Sequence, residues 1–408
     1  MEPFKYTLEN GLRVIHMPSP THVVYCGFCI DAGTRDELPD EQGLAHFTEH
    51  MSFKGTAKRR SWQILNRMEA VGGDLNAYTT KEETVYYTAC LDKDFDRAAE
   101  LLSDLVFNST FPQNEIDREL GVILDEIQSY EDSPSELIFD DFEGILFKGD
   151  QLASNILGDP EQLKTFRTEN FLRFTHRFYN PSNMVFFVFG DITEKKVVSV
   201  VRKYMACAVN HAEAARAERR ELPAYTAQHV KINKDTHQAH VMIGTRGLCG
   251  NHQDRMALYL LNNMLGGPGM NSRLNLVLRE KRGLVYNVES NSTSYTDTGI
   301  FSIYFGCDPE DTDKCISLTL TELRKMVREV LTPARLKAAK IQLMGQMAVS
   351  SDNFENVALG MGKTFLHYND YQTREVLFSR IEAITAVQLQ ETAERVFNTN
   401  NLSTLIYS

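Results

Sequence analysis

Residues 42–56 read QGLAHFTEHMSFKGT, a stretch that places two imidazoles and a carboxylate at positions i, i+3 and i+4. In a helix these positions share one face, so His46, Glu49 and His50 would converge on one spot. Two imidazoles on adjacent turns can hold one Zn²⁺ at about 2.0–2.1 Å, and the carboxylate can then take a proton from a water molecule at the metal. The HxxEH order is the inverse of the HExxH signature of zinc peptidases. We therefore predict a helix that carries two zinc ligands and a general base.

A catalytic zinc site also needs a third protein ligand and an open fourth position. The stretch NEIDRELGVILDEIQSYED at 114–132 predicts a helix in which Glu119 and Glu126 lie two turns apart on the same face. One of these glutamates could bind the metal while the other supports the site. Acidic residues on helices also commonly face water, so the residues alone leave both readings open.

The bulk composition excludes several classes of function. The 408 residues are 42% apolar and 24% charged, which suits a globular chain of about two or three domains. A formal net charge of −12 disfavours nucleic acid and anionic lipid surfaces as partners. The sequence shows no apolar stretch long enough to span a membrane, and its start lacks the features of signal and transit peptides. We expect a cytoplasmic protein.

The seven cysteines are scattered along the chain, which disfavours a disulfide framework and fits a reducing compartment. Cys26 and Cys29 form a CxxC pair, but they lie in the apolar run VVYCGFCI, and no second pair follows at zinc-ribbon spacing. We interpret this run as a buried strand and both cysteines as core residues.

The order of the predicted elements repeats, which indicates an internal duplication. The first half ends with a helix followed by FYNPSNMVFFVFGD at 178–191, and the second ends with a helix followed by VFNTNNLSTLIYS at 396–408. Earlier in each half, an alternating strand pair precedes an amphipathic helix. The segment 211–227, rich in Ala, Glu and Arg, predicts a linker. We expect an α+β fold of two homologous halves, 1–210 and 228–408, each a largely antiparallel sheet covered by helices.

The motif HFTEHMSFKGT, followed by a glutamate 76 residues beyond its second histidine, resembles the pitrilysin or insulinase family of zinc peptidases. The resemblance is strongest to the short subfamily that includes the mitochondrial processing peptidase and its bacterial relatives, and it covers nearly the whole chain. It implies one zinc ion per chain, held by His46, His50 and Glu126. It further implies that Glu49 is the catalytic base and that Glu119 supports the site.

A second stretch, VGGDLNAYTTKEETVYYTA at 71–89, is similar to the GGxxNAxTxxxxTxY segment of that family. The resemblance implies an edge strand that pairs with the backbone of a bound peptide, with Asn76, Ala77 and Thr79 at the substrate. Strand addition of this kind binds main chain and leaves side-chain choice to flanking pockets. Without the resemblance, the same pattern fits an ordinary hairpin strand.

In the second half, SRLNLVLREKRGLVY at 272–286 is similar to the RxxxxxxY pair of the family. The resemblance implies that Arg279 and Tyr286 reach the active site and donate hydrogen bonds to the substrate carbonyl and the developing oxyanion. Without the resemblance, an arginine on a helix usually faces solvent.

These features together predict a zinc-dependent endopeptidase that hydrolyses peptides or unfolded protein segments inside an enclosed chamber. Family members of this length contain half of the full chamber, so the resemblance implies a homodimer. One alternative is a noncatalytic peptide-binding or assembly subunit of a related complex. Another is a metal-dependent hydrolase of small molecules, which would need deep apolar pockets or anion clamps that the sequence does not show.

Overall fold

The computed structural model describes residues 2–211 and 221–408, so residues 212–220 of the predicted linker lie outside the described residues. Strands and helices both contribute, and the predicted α+β class is confirmed. The strands, in chain order, are β1 (Phe4–Thr7), β2 (Arg13–Pro18), β3 (Val23–Ile30), β4 (Asp74–Thr79), β5 (Thr84–Leu91), β6 (Met184–Gly190), β7 (His229–Ile232), β8 (Ala239–Arg246), β9 (Val285–Ser294), β10 (Gly299–Cys307) and β11 (Ser403–Tyr407).

The α-helices lie in the longer connections between these strands. In chain order they are α1 (Leu44–Ser52), α2 (Ser61–Glu69), α3 (Phe95–Asn108), α4 (Gln113–Glu131), α5 (Pro134–Leu146), α6 (Pro160–Leu163), α7 (Thr168–Phe178), α8 (Glu194–Met205), α9 (Arg255–Gly266), α10 (Thr312–Arg328), α11 (Pro333–Ser350), α12 (Phe354–Tyr368), α13 (Arg374–Ala383) and α14 (Ala386–Val396). A short π-helix spans Asn275–Glu280. None of the described helices is long and apolar enough to cross a membrane.

The two sheets have the same topology, which confirms two homologous halves. The order is β2-β6-β3-β5-β4 in the first sheet and β7-β11-β8-β10-β9 in the second, and β1 extends the first sheet beside β2. In each sheet one pair is parallel, β2 with β6 and β7 with β11. The other pairs are antiparallel, as the alternating sequence pattern predicts.

The described chain forms two compact units, and neither is continuous in sequence. The first unit consists of Met1–Ile127, Ser154–Glu221 and Ser351–Thr373, and the second of Gln128–Ala153, Leu222–Ser350 and Arg374–Ser408. Each half of the sequence thus contributes one helix to the unit that is built mainly from the other half: α12 belongs to the first unit and α5 to the second. The division at 211–227 stays a prediction.

Strand β3 shows how the first sheet buries both faces. Successive side chains of a strand point to opposite faces, so Cys26 and Phe28 lie in the core beneath α1 and α3, whereas Cys29 lies in the core beneath α12. Both cysteines are buried free thiols. Because they point in opposite directions, they cannot bind one metal ion, and the prediction of plain core residues is confirmed.

The helix α12 lies close against the first sheet because it carries a glycine at the contact. A Cβ atom at Gly362 would lie 2.7 Å from Phe187 Cδ1 and 2.8 Å from Cys29 Sγ. The same helix carries Gly360, where an added Cβ would meet nothing within 4 Å. In the second unit, α5 covers one face of its sheet, where Ile138 and Phe142 share a core with Met242 of β8 and Leu405 of β11.

The glycine pair in α12 gives a matched test of this packing. We expect Gly362→Ala to lower the free energy of unfolding by about 1–3 kcal/mol, because the methyl group overpacks the contact with Phe187 and Cys29. Gly360→Ala should instead raise it by up to about 1 kcal/mol, since alanine is the better helix former at an open position. Urea denaturation of both variants checks this, and equal effects would contradict the packing described here.

Candidate metal centre

Helix α1 holds its polar face in place through burial of the opposite face. Leu44, Phe47 and Met51 are fully buried in the first core, and the Phe47 ring packs edge-on against Phe171. At the helix start, the buried Glu37 carboxylate accepts the backbone N–H groups of Gly43 (3.0 Å) and Ala45 (2.7 Å). These bonds satisfy donors that the first helical turn leaves unpaired. The helical prediction for this stretch is therefore confirmed.

The structure brings His46, His50 and Glu126 together. Glu126 Oε2 on α4 lies 3.9 Å from His46 Nε2 and 3.7 Å from His50 Nε2. One potential ligand atom from each of the three residues lies within 4.8 Å of the others. The buried residues Ile116 and Ile123 fix the position of helix α4. The Glu126 carboxylate on this helix therefore lies next to the two histidine side chains.

The second glutamate of α4 supports His50. Glu119 is buried on the same helical face, and its Oε1 lies 3.0 Å from His50 Nδ1 while its Oε2 lies 2.6 Å from Lys54 Nζ. A carboxylate on Nδ1 fixes the ring orientation and the tautomer and leaves Nε2 for a metal. His46 differs, because its Nδ1 is buried with no hydrogen-bond partner among the described residues.

The protonation states of the two histidines differ as well. Burial, with the nearby His50, lowers the pKa of His46 to about 3, so its imidazole is neutral and can donate a lone pair. Burial also lowers the pKa of His50, but its hydrogen bond to Glu119 and the charges of Glu49 and Glu126 outweigh it and raise that pKa above its usual value. A metal ion at His50 Nε2 therefore competes with a proton for that nitrogen.

These residues fit zinc. Tetrahedral zinc takes imidazole nitrogens and carboxylate oxygens at about 2.0–2.2 Å, which separates neighbouring ligand atoms by roughly 3.3 Å. The distances of 3.7 Å and 3.9 Å from Glu126 Oε2 to the two Nε2 atoms need only a small side-chain movement to reach that value. Three protein ligands leave the fourth position open, as a catalytic site requires.

Glu49 lies beside the ligands and has a partner that the sequence analysis missed. Thr79 Oγ1 donates a hydrogen bond of 2.7 Å to Glu49 Oε2. Burial raises the pKa of the Glu49 carboxyl, and the Thr79 hydrogen bond and the charge of His50 only partly oppose this. The two residues are 30 positions apart on a helix and a strand, so no spacing rule joins them. The family resemblance implies only a place on the substrate strand for Thr79, and the structure adds the hydrogen bond from its hydroxyl group to the Glu49 carboxylate.

The strand β4, which carries Asn76, Ala77 and Thr79, is the edge strand of the first sheet as described. One backbone donor of this strand is already hydrogen-bonded, because the Ala77 N–H donates to Asn76 Oδ1 at 2.9 Å. The Asn76 side chain is exposed and can move away. A role of these residues in substrate binding stays a prediction.

Arg279 and Tyr286 belong to the second unit. Arg279 lies in the short helix Asn275–Glu280 and is exposed, and Tyr286 is the second residue of β9 with a relative exposure of 78%. Their approach to the metal centre stays a prediction.

Comparison with known proteins shows that the chain is similar to proteins named as zinc proteases. Residues 13–160 match the family described as "Insulinase (Peptidase family M16)", and residues 165–343 match the domain described as "Peptidase M16 inactive domain". The chain is 31% identical over 403 residues to the uncharacterized zinc protease YmxG of Bacillus subtilis, which covers 98% of this chain and 97% of that protein. It is also 31% identical over 397 residues to the mitochondrial-processing peptidase subunit beta of Bos taurus, covering 94% and 80% of the two chains.

A solved structure supports the fold. The crystal structure of a protease from Helicobacter pylori superposes with a TM-score of 0.94 at 23% identity, covering 100% of this chain and 99% of that one. At this level of identity the likeness concerns the fold alone. The description of the second matching domain as inactive agrees with the sequence, which has no second HxxEH motif.

The contact between Glu119 and His50 can be tested through metal affinity. We expect Glu119→Gln to weaken zinc binding by about 10–100-fold, because the neutral amide no longer raises the basicity of His50. Glu115→Gln is the matched control, since Glu115 lies one turn earlier on α4 and contacts the exposed Arg118 at 3.1 Å and the Asn114 side-chain amide at 2.9 Å, away from the histidines. Competition with a chromophoric chelator measures both affinities. Equal affinities for Glu119→Gln and wild type would contradict a supporting role.

Proposed function

Because this chain belongs to the insulinase family of peptidases, family M16, we propose that it is a zinc-dependent endopeptidase that hydrolyses peptides or unfolded protein segments. The observation that carries the proposal is that His46 and His50 of α1 lie close to Glu126 of α4. Glu49 lies on the same face of α1 as the two histidines. Relatives that share almost the full length are named zinc proteases. We assign the three meeting residues as the ligands of one zinc ion per chain.

A zinc ion held there would supply Lewis acidity, which polarises the scissile carbonyl and makes the attacking water easier to deprotonate. Glu49 is the general base in this proposal. Its carboxylate is buried to 8% exposure, and burial raises its pKa, which strengthens it as a proton acceptor. The 2.7 Å bond from Thr79 occupies Oε2, so Oε1 is the oxygen that takes the proton and later returns it to the leaving amine.

The substrate binds to β4 in this proposal. An edge strand offers N–H and C=O groups to an extended peptide, and Asn76, Ala77 and Thr79 lie along it. Because Asn76 Oδ1 accepts the Ala77 N–H, an incoming peptide carbonyl must replace the side-chain amide at that donor. The Asn76 side chain would thus keep the edge hydrogen-bonded until substrate arrives.

Arg279 and Tyr286 complete the proposal as donors to the substrate carbonyl and the oxyanion. Their support is the resemblance of residues 272–286 to the family's Arg/Tyr pair, together with the exposure of both side chains. A positioned donor of this kind is worth about 2.7–4 kcal/mol in the transition state.

We further propose that two chains associate as a homodimer that encloses the substrate, and that the protein acts in the cytoplasm. One relative is named as a subunit of its peptidase. This chain carries both the metal centre and the Arg/Tyr pair, which favours two identical subunits. Sedimentation of the active enzyme at the single-chain mass of 46.4 kDa would contradict the dimer. The alternative, a noncatalytic peptide-binding subunit, is disfavoured by the complete set of zinc ligands.

The role of Glu49 is tested by Glu49→Gln. We expect this variant to retain zinc and to lose hydrolysis of a quenched peptide by about 10²–10⁴-fold, because the amide cannot accept the proton. Glu69→Gln, at the exposed end of α2, serves as the control and should retain full activity. Metal analysis and peptide hydrolysis before and after chelation provide the measurement. Turnover at the wild-type rate by Glu49→Gln would refute the assignment.

A further inference from the structure

A group of charged side chains is buried in the first unit where α12 meets the turn between β4 and β5. Glu83 lies in this turn, with its Oε2 at 3.0 Å from His367 Nε2 and its Oε1 at 2.6 Å from Lys363 Nζ. The other ring nitrogen of His367, Nδ1, lies 3.5 Å from Asp31 Oδ1, just after β3. The side chains of Glu83 and His367 are each only 8% exposed. The metal centre as assigned uses none of these four residues.

The opposite charges of Glu83 and His367 favour a fixed contact between α12 and the turn. Burial lowers the pKa of His367, but the hydrogen bond and charge of Glu83, with the charge of Asp31, outweigh it and raise that pKa. Burial raises the pKa of Glu83, but His367 and Lys363 together lower it to about 2. Both shifts favour the ionic form of the pair. Separating it would leave a buried charge without its partner, which is costly.

Hydrogen bonds within the β4–β5 turn connect this ion pair to Glu49, the proposed general base. The Thr80 backbone N–H donates to the Glu83 carbonyl at 2.8 Å, and the Glu83 N–H donates to Thr80 Oγ1 at 3.2 Å. The preceding residue is Thr79, whose hydroxyl group donates to Glu49 Oε2. His367 is thus connected to Glu49 through Glu83, Thr80 and Thr79, by hydrogen bonds and by the covalent backbone.

We propose that His367 and Glu83 form a clamp that holds the β4–β5 turn and thereby keeps the Thr79 hydroxyl on the Glu49 carboxylate. They are positioning residues, and α12, from the second half of the sequence, takes part in placing the catalytic base. This inference rests on the proposed role of Glu49. Docking of α12 has other polar contacts at a distance from the turn, such as Tyr87 Oη to Glu355 Oε1 at 2.7 Å and Arg13 to the Phe365 carbonyl at 3.1 Å.

The kinetic test compares two contacts of the same helix. We expect His367→Ala to lower kcat by about ten-fold with KM nearly unchanged, because a small displacement of the base slows the chemical step. His367→Gln, which retains a donor for Glu83, should recover most of this loss. Glu355→Ala removes the contact to Tyr87 and loosens α12 away from the turn, so it should leave kcat at the wild-type value. Equal losses for His367→Ala and Glu355→Ala would overturn the clamp.

A double-mutant cycle with Thr79→Val separates positioning from general destabilisation. If the clamp acts through the Thr79 hydroxyl group, Thr79→Val lowers kcat by itself, and adding His367→Ala to it lowers kcat no further. Losses that multiply would overturn the proposed route. Glu83→Gln breaks the same ion pair and replaces His367→Ala in the cycle if the latter does not fold.

A measurement without turnover keeps this inference distinct from the proposed function. Hydrogen exchange of the full-length protein should show the amides of Thr80 and Glu83 exchanging roughly ten-fold faster in His367→Ala than in wild type, and unchanged in Glu355→Ala. Full activity of Glu49→Gln would refute the role of the base, and the exchange result would still decide whether the clamp holds the turn. Unchanged exchange of the turn in His367→Ala would overturn the clamp.

Discussion

The distance between one carboxylate on α4 and two imidazoles on α1 is the constraint on which the rest of the site depends. A zinc ion accepts these ligands only if both helices are fixed to within a fraction of an ångström. Helix α1 is fixed by the burial of Leu44, Phe47 and Met51, and by the Glu37 carboxylate at its start. Helix α4 is fixed by its own apolar face, and its Glu119 connects the two helices through His50. The apolar cores of the fold therefore determine the chemistry that the polar face can perform.

The two faces of the first sheet have different tasks. One face packs against α1 and α3 and so supports the residues proposed as metal ligands, whereas the other packs against α12. Because α12 follows residue 350 in the sequence, the unit that carries the metal centre includes a segment from the far half of the chain. The exchange of α5 and α12 makes each unit depend on both halves of the sequence.

Much of this structure can be predicted from the sequence because local patterns determine it. The spacing of His46, Glu49 and His50 predicts their shared helix face, and the apolar run VVYCGFCI predicts the buried strand β3. The similar endings of the two halves predict the shared topology of the sheets. The choice of Glu126 over Glu119 as the ligand comes from the family resemblance, since spacing places both on one face.

The contacts that the sequence does not reveal all join distant segments. Thr79 donates to Glu49 across 30 positions, and Glu83 meets His367 across 284. Neither pair follows the residue spacing of a helix or a strand. In the sequence alone, Glu83 and His367 each look like ordinary charged residues of the surface. The exchange of α12 has no local signal either, because its apolar face fits a sheet from either half.

The central claim is that His46, His50 and Glu126 bind one zinc ion, and anomalous diffraction from crystals of the zinc-loaded protein tests it most directly. Data collected on both sides of the zinc absorption edge should show one strong peak per chain, at about 2.0–2.2 Å from an imidazole nitrogen of each histidine and an oxygen of Glu126. The exposed group of His22, Asp92 and Asp191 is the internal comparison and should show none. A peak there and none on α1, or a zinc ion without Glu126 among its ligands, would contradict the account.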